Sequence, residues 1–168
     1  MTRLPALPTP DQVGALPLGL ALTVPPDFTD ANGHMNIARY LELYSRAGWV
    51  AFARFGLGEE TALAGGPATF DAEHYLRYAA EVHAGDEITV HSRLVGRSAK
   101  AVHHVQLLLD RTTGAVASTF EAVSVSIDLA VRRPTPFPPA VAAALDAQLA
   151  RDTALPWPPP LCGVIGAR

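Results

Sequence analysis

The sequence predicts an α+β fold in which one long buried helix packs into a curved antiparallel sheet. Two observations carry this. From Ile37 the apolar residues recur at helical spacing, through Tyr40, Leu41, Tyr44, Ala47, Gly48, Ala51, Phe52 and Phe55. After residue 68 the pattern changes to long strand-like stretches broken by short turns. A helix with so broad an apolar stripe needs a cover, and a meander of strands with one apolar face supplies it.

Each element has its own signal. Residues 1–17 are rich in Pro and Leu without a period and read as an arm on the surface. Leu18 to Val24 reads as a strand that Pro25-Pro26 ends, with Asp27 to Gly33 as a loop. Gly56 and Gly58 stop the long helix, and residues 59–68 form a loop or a short helical turn. Strands follow over part of Thr69–His83, over Glu87–Val95, over Lys100–Asp110 and over Ala115–Leu129. The turns between them are Ala84-Gly85-Asp86, Gly96 to Ala99, and Arg111 to Gly114. Residues 137–152 carry Ala and Leu at helical spacing, ahead of a proline-rich tail. The expected organisation is one domain over 1–168 with its core at about 18–138 and no internal repeat.

Composition excludes several classes. A formal net charge of −3, with no basic patch interleaved with aromatics, argues against nucleic acid. No stretch approaches the roughly 18 apolar residues of a membrane helix, so no membrane partner is expected. The single cysteine, Cys162, cannot form an internal disulfide. With no signal-peptide pattern at the start, a reducing, cytoplasmic compartment fits.

The stretch Asp30-Ala31-Asn32-Gly33-His34-Met35-Asn36 carries the chemistry. It puts a carboxylate three residues before a glycine, just ahead of the long helix. A helix N-terminus offers free N–H groups and the positive end of the helix dipole. Such donors hold a developing oxyanion, while a nearby carboxylate attacks or takes a proton from water. The spacing therefore suggests an acyl-transfer site with Asp30, Gly33 and His34 at its centre. Asp30 also fits plain turn or capping chemistry, and Asn36 fits a cap as well as a ligand contact.

The pattern Asp30-x-x-Gly33-His34-Met35-Asn36-x-x-x-Tyr40 resembles the hotdog-fold acyl-CoA thioesterases of the four-hydroxybenzoyl-CoA type. Tyr78-x-x-Glu81-Val82-x-x-Gly85-Asp86-x-Ile88-x-Val90 is similar to the same family's second strand and turn. The resemblance covers roughly Leu18 to Pro138. It implies a homodimer or homotetramer with the site between subunits, and an acyl-CoA substrate without a cofactor. It implies Asp30 as nucleophile or general base, and N–H groups near Gly33 and His34 that polarise the thioester carbonyl. Asn36, Tyr40, His74, Tyr78 and Glu81 become candidate substrate contacts. The wording Asn32-Gly33-His34-Met35-Asn36, with Arg132-Arg133 and Pro136-Phe137-Pro138, is similar to thioesterases of carnitine breakdown that act on betainyl-CoA. That implies a short acyl pocket for a quaternary ammonium, with Trp49, Phe70 and Tyr78 as available aromatic faces.

Bland roles stand beside these. Tyr40 and Tyr44 lie on the apolar stripe and fit core packing. For the phosphates of CoA, the cations are Arg97 and Lys100 at one turn and Arg132 and Arg133 at the end of the last strand, each equally a solvated surface charge. If the turns at Gly96–Ala99 and Arg111–Gly114 are tight, His91 faces His104 and Glu121 faces His104, a row that could hold zinc or merely line the outer sheet face. Two other functions share the fold. A hotdog hydratase resembles an Asp-x-Asn-x-x-His pattern, and here the histidine comes one residue early. A non-catalytic acyl-CoA-binding regulator would carry a DNA-binding appendage, and none is visible.

Overall fold

The structure is a computed structural model and describes residues 5–167. Its centre is a curled sheet in the order β1(Leu18–Thr23), β3(Glu87–Arg97), β4(Ala101–Asp110), β5(Ala115–Asp128) and β2(Ala68–Tyr78). Every neighbouring pair is antiparallel, and a short β6(Arg133–Pro134) folds back on β5. The helices are α1(Pro10–Gly14), α2(Ile37–Ala53), α3(Glu59–Leu63) and α4(Pro139–Thr153). No described helix is long and apolar enough to cross a membrane.

Helix α2 lies on one face of the sheet. Its stripe of Tyr40, Leu43, Tyr44 and Ala47 packs on Ile88, Val90, Leu108 and Phe120. The Tyr44 ring stacks on Phe120 with centroids 5.2 Å apart. Its hydroxyl reaches the buried Ser118 Oγ at 2.6 Å, which gives both polar atoms a partner. Gly19 on β1 allows the helix to come this close, since a Cβ there would stand 2.9 Å from the Ala47 carbonyl oxygen.

The opposite face is covered by both ends of the chain. Alternation along β4 sends Val105, Leu107 and Leu109 outward, where they pack with Val13, Leu16 and Trp157. The described part of the N-terminal arm, residues 5–17, packs onto this outer face. Thr9 and Gln12 form a capping box around Pro10, α1 follows, and Val13 is fully buried. Residues 1–4 lie outside the described residues. On the same face the Arg93 guanidinium sits 4.2 Å over the Trp157 ring and donates to the Trp157 and Asp152 carbonyls. Asp152 accepts the Leu94 N–H at 2.7 Å, which ties α4 to β3.

The expected histidine row does not form. Gly96 belongs to β3, beside a bulge between Leu94 and Gly96, so His91 pairs with Leu107 and His104 with Leu94. A second bulge between Leu108 and Leu109 sets Glu121 opposite Val105 and Ala122 opposite His104. Each bulge shifts the register, and a one-residue shift turns a side chain to the other face. His91 instead bonds the Leu16 carbonyl and Thr89, while Glu121 pairs with His103 at 2.8 Å and accepts the Cys162 N–H.

Strand β2 is an edge. One side pairs with β5 along its whole length, and the other pairs with no strand among the described residues. Phe70 on β2 and Ile37 and Leu41 on the β2 side of α2 are large apolar side chains left exposed.

Candidate active site

The loop before α2 is a closed hairpin rather than the first turn of the helix. Thr29 bridges Met35, the Asp30 N–H donates to the His34 carbonyl at 3.0 Å, and the Gly33 N–H donates to the Asp30 carbonyl at 3.0 Å. Gly33 holds φ at +85°, a conformation that glycine adopts without steric cost. The Gly33 N–H is thus engaged inside the turn. The His34 N–H has no acceptor among the described residues. Its ring Nδ1 makes a long 3.4 Å contact to the Met35 carbonyl, so the side chain lies along the loop.

Asp30 is half-buried. Its Oδ1 accepts the Asn32 N–H at 2.8 Å and its Oδ2 accepts Asn36 Nδ2 at 3.3 Å. Asn36 is also the N-cap of α2, its Oδ1 accepting the Ala38 N–H at 2.9 Å. The carboxylate thus sits beside the start of the helix and keeps lone pairs toward a cleft of about 490 Å³. Asp30, Asn32, His34, Met35, Ile37, Tyr40, Tyr78 and Glu81 line this cleft with Ala79 and Ala80. Tyr40 and Tyr78 meet edge-on at 5.0 Å. Burial, helped by the nearby Tyr78 and Glu81, pushes the Tyr40 phenol up to about 12, and burial also raises Tyr78, so both are neutral donors. Glu81 is exposed, and its Oε2 lies 3.5 Å from His83 Nε2.

The remaining sequence candidates lie elsewhere. His74 sits mid-strand on β2, its ring 5.3 Å from that of Phe120, outside the cleft. Arg97 forms a two-pronged bond with Asp146 of α4, both arms at 2.5 Å, which makes it a tie between sheet and helix. Lys100, Arg132 and Arg133 are exposed at the end of the sheet where β2 begins, whereas the Asp30 cleft lies where β2 ends. Those two ends are roughly 30 Å apart at the rise of a strand.

Sequence reasoning missed a second cavity of about 250 Å³ between α2 and β2. Trp49, Phe52, Phe70 and Phe120 line it together with Asp71, His104, Gln106 and Ser124. Ser124, buried on β5, donates its hydroxyl to Asp71 Oδ1 and lies 3.0 Å from His104 Nε2. His104 Nδ1 and Gln106 Oε1 are buried without a partner. The available signal was the placing of His104, Gln106 and Ser124 in the inward phase of their strands, where alternation calls for apolar side chains.

The curled antiparallel sheet with a helix across one face, together with the family and homologue matches, is that of a hotdog-fold thioester hydrolase. The chain belongs to the thioesterase-like superfamily, whose family model matches residues 24–145. A betainyl-CoA thioesterase of Pseudomonas aeruginosa is 31% identical over 141 residues, covering 84% of this chain and 89% of that protein. An L-carnitine dehydrogenase/betainyl-CoA thioesterase of Agrobacterium fabrum is 35% identical over 121 residues; the match covers 71% of this chain and 24% of that longer protein. Among solved structures, a Staphylococcus aureus protein in complex with CoA superposes with a TM-score of 0.78 at 25% identity, covering 91% of this chain and 97% of that one.

Proposed function

We propose that this chain hydrolyses a short acyl-CoA thioester, betainyl-CoA in the first place, with Asp30 as nucleophile or general base. The observation that carries this is the Asp30–Asn36 unit at the mouth of the cleft, where a carboxylate is held beside the N-terminus of α2. In the general-base form, Asp30 takes a proton from water as the water oxygen attacks the thioester carbonyl. In the nucleophilic form, an Asp30 oxygen attacks and water then cleaves the mixed anhydride. In both, the His34 N–H and the positive end of α2 face the oxyanion, the C–S bond breaks, and the thiolate of CoA leaves and is protonated. The neutral Tyr40 and Tyr78 phenols supply further donors at the cleft wall.

The reading includes a second copy of the chain. An edge strand of 11 residues flanked by exposed Phe70, Ile37 and Leu41 is covered when two β2 strands pair about a two-fold axis. Antiparallel pairing brings the beginning of one β2 beside the end of the other. Lys100, Arg132 and Arg133 of one copy then approach the Asp30 cleft of its partner, where the phosphates of CoA need cations. Support for the substrate comes from the relatives, whose names include betainyl-CoA. The test is thiol release from a panel of acyl-CoAs by wild type and by Asp30→Asn. Activity of the wild type on short acyl-CoAs, lost in Asp30→Asn, supports the reading, and a folded wild type that releases no thiol from any of them refutes it.

A further inference from the structure

We propose that the cavity between α2 and β2 is the acyl pocket for a thioester held at the partner copy's Asp30, and that it selects positively charged acyl groups, a trimethylammonium group foremost. This rests on the thioesterase reading above and adds the residues that set its specificity: Trp49, Phe70, Asp71, His104 and Gln106.

The directions of two hydrogen bonds set the polarity of the cavity wall. An ionised Asp71 can only accept, so the Ser124 hydroxyl donates to it. That hydroxyl has one proton, so at its other side it accepts from His104 Nε2. The Nε2 atom therefore carries the ring proton. Burial pushes the His104 pKa down to about 4, so the ring is neutral and Nδ1 is a bare lone pair. Nδ1 has no partner, and neither does Gln106 Oε1. The unspent polar atoms of His104 and Gln106 are thus both acceptors, and Asp71 adds a full negative charge.

The rest of the wall agrees. Trp49, Phe52, Phe70 and Phe120 line it, and the electron-rich faces of such rings attract cations. Phe120 already stacks on Tyr44, which leaves Trp49 and Phe70 as the rings for a ligand. No lysine or arginine lines the cavity among the described residues. Gly48 leaves room on the helix side, since a Cβ there would meet Gln106 Nε2 at 3.3 Å. A neutral aliphatic acyl group would cover Asp71 and leave the His104 and Gln106 acceptors unanswered, which is costly. The methyl groups of a quaternary ammonium spread its positive charge toward all of them.

Distance assigns the pocket to the partner's thioester. Trp49 and Asp71, the groups assigned to the cation, lie respectively about 18 Å along α2 from Ile37 and about 23 Å along β2 from Tyr78. A short acyl chain cannot bridge that gap from the Asp30 of its own protomer. In the antiparallel β2–β2 pairing proposed above, centred on His74, Phe70 and Asp71 of one copy lie near Tyr78 of the other, and so near the partner's cleft.

The experiment compares betainyl-CoA with 3,3-dimethylbutyryl-CoA, which has the same shape with carbon in place of the charged nitrogen. Wild type should favour the charged substrate by about tenfold or more in kcat/KM. In Asp71→Asn that ratio should fall by about fivefold or more, and in Trp49→Leu by about threefold. Trp49→Leu carries the test if Asp71→Asn fails to fold. A wild-type ratio near one, with thioester cleavage intact, overturns the pocket assignment and leaves the thioesterase reading standing. A ratio unchanged in a folded Asp71→Asn overturns it too. Failure of wild type to cleave any acyl-CoA removes both.

Discussion

Asn36 joins the start of α2 to the carboxylate of Asp30: one end of its amide caps the helix at 2.9 Å and the other donates to Asp30 Oδ2 at 3.3 Å. The candidate base is therefore aligned by the same residue that begins the helix. Replacing Asp30 with Asn keeps its size and removes its charge. Turnover in a thiol-release assay should fall by about a hundredfold or more, the usual scale for a positioned base, with the thermal midpoint little changed. A folded Asp30→Asn protein with wild-type turnover would rule out the role.

Asn36→Ala should act on both partners at once. Loss of the cap costs about 1 kcal/mol of stability. The freed Asp30 should lower kcat more than it raises KM. A stability loss with kcat intact would show that Asn36 serves only the helix.

How much of this was legible in the sequence differs by element. The long helix was, because the period of Tyr40, Tyr44, Ala47 and Phe52 is set by burial against one sheet face. The motif residues Asp30, His34, Tyr40, Tyr78 and Glu81, far apart in sequence, line one cleft. Strand registers were not legible, since Gly96 looks like a turn residue and sits instead inside β3 at a bulge. The Asp71–Ser124–His104 chain was hidden for the same reason. It joins three strands, and only their true registers bring the residues together. Arg97, chosen for its charge, is claimed by Asp146, a partner 49 positions away that no local pattern announces.

Stability should depend on pH through the buried histidines. His104 titrates near 4 in the folded chain against an ordinary value of 6.5, and burial lowers His91 as well. Between those limits the unfolded chain binds more protons, so stability rises with pH and falls on acidification through the same window. His104 alone accounts for up to about 3 kcal/mol. Asp152, raised by burial, works in the opposite sense. Melting curves at pH 7 and pH 5 should show a smaller acid loss for His104→Gln than for wild type; equal losses would place the effect elsewhere.

Light scattering at micromolar concentration should give a multiple of the 17.8 kDa chain mass. An active monomer would exclude a site shared between copies.

Mixing two defective chains tests the sharing directly. Asp30→Asn and the double variant Trp49→Ala, Asp71→Ala should each be weak on betainyl-CoA. In a random mixture half the dimers are mixed, and each carries one intact composite site. Activity should then recover to about a quarter of wild type. No recovery, with mixed dimers shown to form, would mean that each pocket serves its own Asp30.

Segments near both ends of the chain run over the outer face of the sheet, where Val13, Leu16 and Trp157 pack on Val105, Leu107 and Leu109. The cleft lies on the other face, so the segments that seal the outer surface leave the substrate path open. The N-terminal segment does reach the edge strand, where the Pro5 carbonyl accepts from Arg77 of β2.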